Sequence, residues 1–128
     1  MILDSDIIID FLKNDKKIIE RISKIKEEES LKTTTINVFE LLNGFLALNK
    51  KETFLLEFIN NLKVLNFNFE ASEKAAEIFN ELRSNGEEID HLDLFIASIA
   101  ITNKEKLFTR NKKHFNRIKE LEIEEIEN

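Results

Sequence analysis

Four carboxylates stand where apolar segments of this 128-residue chain begin or end. Asp4 and Asp6 interrupt MILDSDIIIDFL, Glu40 lies in TTTINVFELLNGF, and Asp93 lies in IDHLDLFIASIAI. Charge in apolar surroundings is costly unless it is paired, hydrogen-bonded or open to water. Two carboxylates about 4 Å apart repel by about 4 kcal/mol at an effective dielectric near 20, so three in one pocket raise their pKa values or demand a cation. Oxygen donors without cysteine suit a hard ion, Mg²⁺ or Mn²⁺, better than zinc. Such an ion activates water, orients a phosphate and neutralises developing charge, and cutting a phosphodiester is its simplest use.

Each carboxylate also has a structural explanation. Asp4, or equally Asp6, offers an N-cap to the helix that follows, worth about 0.5–2 kcal/mol. Asn37-Val38-Phe39-Glu40 has the form of a capping box, with Glu40 reaching back to the backbone of Asn37. Asp93 falls third after a candidate cap, Asp90, and gains about 0.3–1 kcal/mol from the helix dipole. That gain is small beside the cost of burying an unpaired charge, so folding alone accounts least well for Asp93.

The elements that must position these groups alternate. Short strands are expected at Met1–Leu3, Leu31–Thr35, Lys63–Phe67 and Lys106–Thr109, with an edge strand near Ile123–Ile126. Helices are expected at Ser5–Lys13, Lys16–Glu28, Val38–Leu48 behind an Asn37 cap, Lys51–Leu62, Glu70–Asn85, Asp90–Thr102 and Lys112–Ile118. The alternation implies an α/β fold of three layers, α/β/α, with a central, mainly parallel sheet of four to five short strands and helices on both faces. Ligands of such sheets bind beyond the carboxyl ends of the strands, and Asp4, Asn37–Glu40 and Arg110–Asn111 all follow predicted strands. Asp93 joins them if its helix starts at that edge. Proline is absent and only Gly44 and Gly86 punctuate the chain, so turns must rest on Asn, Asp, Ser and Lys.

Composition narrows the function classes. The chain reads as a single globular domain, residues 1–128, with 42% hydrophobic and 34% charged residues. No long uncharged apolar run suggests a membrane span, and no basic stretch followed by an apolar one suggests a secretory signal. The lack of cysteine fits a cytoplasmic protein. A net charge of −6 argues against a passive nucleic-acid binder, less against a nuclease whose metal brings its own positive charge. The eleven phenylalanines fall mostly at helical or strand spacing and are expected in the core.

At this point the chain resembles PIN-domain ribonucleases, and more closely the VapC toxins of VapBC toxin–antitoxin pairs. LDSDIIIDFL is similar to the family's first motif, INVFELLNG to its second, LDLFIASIAI to its third and LFTRNKKHF to its fourth. The resemblance implies a metal-dependent endoribonuclease acting on RNA, structured RNA such as tRNA included. It implies Mg²⁺ or Mn²⁺ held by Asp4 and Asp93, with Glu40 and Asn111 acting through water and Asp6 in reserve. It also implies a homodimer and a cognate VapB-like antitoxin whose tail enters the active-site groove. The fourth motif departs from the family's acidic form. Asn111 stands where many members carry Asp, and His114 where Asp or Glu commonly precedes Phe, leaving one charge fewer for a second ion. Arg110, Lys112 and Lys113 beside Asn111 offer phosphate contacts, or else form a solvated basic turn.

Three other readings compete. A non-catalytic PIN-like binding partner would keep the acidic pocket as a docking site. A haloacid-dehalogenase-like phosphatase would use Asp4 and Asp6, but the Gly-Thr of that motif is replaced by Ile7-Ile8. A metal-free ribonuclease would use His91 and His114 as base and acid.

Overall fold

In the computed structural model, which describes residues 1–126, five strands and seven helices alternate. They run β1 (Ile2–Leu3), α1 (Ser5–Leu12), α2 (Lys16–Glu28), β2 (Lys32–Thr34), α3 (Thr35–Ala47), α4 (Thr53–Asn60), β3 (Lys63–Leu65), α5 (Phe69–Ser84), α6 (His91–Thr102), β4 (Leu107–Phe108), α7 (Lys112–Phe115) and β5 (Ile123–Glu124). The strands form one sheet in the order β3-β2-β1-β4-β5, and every pairing is parallel. The expected α/β sandwich is thus present with all five strands. The last two residues of the expected 1–128 domain, 127–128, lie outside the described residues.

Alternation along the strands divides the core in two. Ile2 and Leu107 face one side of the sheet, where α5, α6 and α7 bring Ala71, Ile78, Ile96 and Phe115. Leu3 and Phe108 face the other side and meet Ile7, Ile18, Leu41 and Leu55 of α1 to α4. Because both faces are covered, β1 and β4 in the middle of the sheet are wholly apolar, while β2 beside them is Lys-Thr-Thr, its two threonines buried. Helix α6 is buried nearly all round, as its sequence requires.

Several boundaries differ from expectation for identifiable reasons. Helix α3 starts at Thr35, not Val38, because the Thr34 hydroxyl accepts from the Asn37 amide at 3.1 Å and caps the helix three residues earlier. Gly44 lies inside α3 and makes no turn. The turns fall instead on Asn14, Asn49 and Lys104, with φ of 64°, 54° and 55°, and on Gly86 at 73°. The phenylalanines are less buried than their spacing suggests. Phe108 and Phe115 are fully enclosed, whereas Phe39, Phe54 and Phe69 are exposed.

The order of strands reverses between β1 and β4. The chain builds outward from β1 to β2 and β3, then crosses back to place β4 and β5 on the other side. The carboxyl ends of two neighbouring strands therefore diverge into a crevice, which is where doubly wound sheets bind ligands.

Candidate metal centre

Asp4 follows β1 directly at that crevice and is 5% exposed. Its carboxylate is held from three sides. Oδ1 accepts from the Ser5 amide at 2.9 Å and from the Asn37 side-chain amide at 2.9 Å. Oδ2 accepts from the Thr109 hydroxyl at 2.6 Å. The Ser5 bond makes Asp4 the N-cap of α1, so its structural and chemical explanations hold together. Burial pushes its carboxyl above the usual range, against the pull of the Thr109, Ser5 and Asn37 hydrogen bonds.

Glu40 does not close a capping box. With α3 beginning at Thr35, it falls in the second turn, half-buried, and accepts from the Ser5 hydroxyl at 2.9 Å. Burial raises its pKa first; the Ser5 bond opposes that, and Asp4, Asp93 and Asp90 add repulsion. Asp93 lies in the first turn of α6, capped by Asp90. Burial, Asp4 and Asp90 raise its pKa, and His114, whose Nδ1 stands 3.5 Å from Asp93 Oδ2, lowers it. Asn111 follows β4, and its backbone amide donates to the Thr109 hydroxyl at 3.0 Å.

Asp6 lies beside this group. Its Oδ2 accepts from the Arg110 amide at 3.0 Å, while the buried Oδ1 has no partner. Its carboxyl is pushed up to about 6, first by burial and then by Asp4.

This donor set fits a hard divalent ion. All its ligating atoms are oxygen, its carboxylates repel one another, and Asp4 accepts three hydrogen bonds where a carboxylate has about four sites. Among the described residues no three His, Asp or Glu side chains are gathered as direct ligands of one ion.

The basic residues are placed differently from one another. Arg110 pairs with Asp10 and Asp15, Lys112 pairs with Glu125, and Lys113 is exposed. His91 packs against Phe79 and Phe95, whereas His114 stands beside Asp93. Sequence reasoning missed Ser5, Asn37 and Thr109. Their signal is a hydroxyl or amide just after each of three strands, the same signal that caps and turns give.

The PIN domain family model matches residues 1–121. The chain belongs to the PIN domain family. Within it, this chain is similar to Ribonuclease VapC1 of Haemophilus influenzae strain R2866, 32% identical over 124 residues that span 94% of this chain and 92% of that protein. It is likewise similar to Ribonuclease VapC1 of Methanocaldococcus jannaschii, 28% identical over 120 residues, spanning 94% and 82%. Among solved structures, VapBC2 from Rickettsia felis bound to a promoter DNA fragment superposes with a TM-score of 0.91 at 27% identity, covering 98% of both chains. VapBC-1 from nontypeable Haemophilus influenzae gives 0.84 at 30% identity, covering 97% and 96%. The chain is thus a PIN-domain nuclease of the VapC type, and no helix among its described residues is long and apolar enough to cross a membrane.

Proposed function

We propose that this PIN-domain protein is a metal-dependent endoribonuclease, the toxin of a VapBC-type pair, and that residues 1–128 act as one unit in the cytoplasm. The observation that carries the proposal is the group of Asp4, Glu40 and Asp93, carboxylates that burial and mutual repulsion push toward protonation, with Asn111 tied by its backbone amide to the Thr109 that holds Asp4. Asp4 and Asp93 would hold Mg²⁺ or Mn²⁺. When bound, the ion supplies Lewis-acid polarisation of the scissile phosphate and neutralises developing charge. Glu40, steadied by Ser5, and Asn111, steadied through Thr109, orient water in the crevice. Asn37 and Thr109 fix the Asp4 carboxylate so that little reorganisation is needed at the moment of reaction. RNA, structured RNA such as tRNA included, is the substrate.

The antitoxin and homodimer belong to the same proposal. A mainly apolar groove of about 340 Å³ beside α1, α3 and the start of α4, with Leu12, Leu41, Phe45 and Phe54 among its lining, has Lys13, Lys50 and Glu40 in its wall. An apolar antitoxin tail fits it, with Glu40 at the side toward the acidic crevice and Lys13 and Lys50 also in the wall. The similar Rickettsia felis structure is that of a VapBC assembly, which supports such a partner here.

The deciding experiment incubates the pure protein with total RNA and Mg²⁺ or Mn²⁺, beside EDTA, Asp4→Asn and Asp93→Asn controls. Discrete fragments that vanish in all three controls are expected, with circular dichroism unchanged. Cleavage that survives EDTA would remove the metal from the mechanism. A folded protein that binds metal but leaves RNA intact would favour the binding-partner reading.

A further inference from the structure

Beside Asn111, Arg110 reads from sequence as a phosphate contact. Its surroundings say otherwise. The guanidinium donates from Nε to Asp10 Oδ2 at 2.5 Å and from Nη2 to Asp15 Oδ2 at 3.2 Å. Its backbone amide donates to Asp6 at 3.0 Å. Three acids thus face one residue, and an RNA phosphate at the guanidinium would have to displace carboxylates already in place.

We infer that Arg110 is a positioning residue, a latch that ties the segment after β4 to the α1–α2 corner and so holds Thr109 and Asn111 at the metal centre. The inference rests on the nuclease assignment above. Three consecutive residues are pinned: Thr109 to Asp4 through its hydroxyl, Arg110 to Asp6, Asp10 and Asp15, and Asn111 to Thr109 through its amide. The segment needs such support, because α7 is a single turn, Asn111 makes no side-chain cap, and one turn does not sustain itself. The anchors are firm. Asp10 sits in the last turns of α1, and Asp15 caps α2 through its other oxygen, which accepts from Lys17 and Ile18 amides at 3.1 and 3.3 Å. The two acids are engaged by two different nitrogens of a rigid fork, a geometry that a lysine ammonium lacks.

The test compares wild type, Arg110→Ala, Arg110→Lys and the double variant Asp10→Asn/Asp15→Asn in RNA cleavage across salt concentrations. Asparagine caps helices as well as aspartate, so the double variant keeps α2. A latch predicts that kcat falls about 10- to 100-fold in Arg110→Ala and in the double variant, with KM and its salt dependence unchanged. Arg110→Lys should not restore the rate, and combining the three substitutions should cost no more than Arg110→Ala. A raised KM with kcat retained, and a salt slope shallower by roughly 0.7, would make Arg110 a phosphate contact and overturn the latch. So would wild-type activity in the double variant. If the wild type cleaves no RNA, the nuclease assignment fails and amide hydrogen exchange still decides. Faster exchange at Arg110 and Asn111 in both sets of variants supports the latch, and unchanged protection removes it.

Discussion

Asn37 joins the fold to the site at the scale of a single residue. It is fully buried, accepts from the Thr34 hydroxyl at 2.7 Å, and donates to Asp4 at 2.9 Å and to Ser5 Oγ at 3.0 Å. Asn37→Ala should lower cleavage about 10- to 100-fold and cost about 2 kcal/mol of stability, because it leaves Asp4 with one donor fewer in a buried setting. Urea unfolding beside kinetics checks both, and wild-type activity would deny Asn37 its supporting role. Asp6 gives a prediction in pH. Its carboxyl, raised to about 6 by burial and then by Asp4, holds its proton more tightly in the folded chain than in the unfolded one. The stability it contributes is therefore present below about pH 3.8 and lost as pH rises through 6. In EDTA, Asp6→Asn should be more stable than wild type by about 1 kcal/mol at pH 7.5, after allowance for solvent screening, and lose that advantage by pH 4. An advantage that does not change with pH would locate the effect elsewhere. The carboxylates were legible in the sequence as charges inside apolar runs, although each also had a structural use and Asp4 does cap α1. The amide and hydroxyls that hold them were not, since Asn and Thr after a strand look the same whether they cap a helix or support a ligand.

At the scale of elements, the amino-terminal edge of the sheet is clamped by Glu105. This residue, in the turn before β4, accepts from the Met1 ammonium at 2.7 Å before β1 and pairs with Lys32 of β2. One carboxylate thereby ties three neighbouring strands at the end opposite the metal centre. Burial pushes its carboxyl up, but hydrogen bonds from Lys32 and the ammonium, with their charges, prevail and leave it below the usual value. A depressed carboxyl contributes stability above the unfolded pKa near 4.5 and loses it as pH falls through the folded value. Glu105→Gln should cost about 1 kcal/mol at pH 7 and progressively less below pH 4.5, as urea melts at several pH values would show. A cost independent of pH would mean that packing, not charge, holds the edge. Element types were legible because short apolar or β-branched runs alternate with longer stretches of helical period. Ends were less so: Lys63–Leu65 stops before Phe67, and α4 starts at Thr53 rather than Lys51 with no side-chain cap to mark it. Strand order was beyond the sequence, since it depends on pairings between segments as distant as Ile2 and Leu107.

At the scale of the whole molecule, an acidic protein carries an apolar strip beside its acidic crevice. Leu48 is about two-thirds exposed and Phe54 is 77% exposed, and both line a groove whose wall includes Glu40. A continuous apolar patch on a small domain marks an interaction surface more often than a folding defect. If a VapB-like antitoxin silences the enzyme by laying its tail there, affinity should come mainly from apolar burial, and orientation from a cation drawn to the carboxylates. Burying a Leu or Phe contributes about 1.5–3 kcal/mol, so Leu48→Asp/Phe54→Asp should weaken inhibition by a VapB-type antitoxin at least ~10-fold. Cleavage without antitoxin should stay intact, because Asp4 is held by Ser5, Asn37 and Thr109 and neither Leu48 nor Phe54 is among its hydrogen-bond partners. Titrating antitoxin into the cleavage assay separates these effects. Inhibition unchanged in the double variant would move the antitoxin to another face. Loss of inhibition together with loss of solution dimers would instead assign the strip to the contact between two copies of the chain.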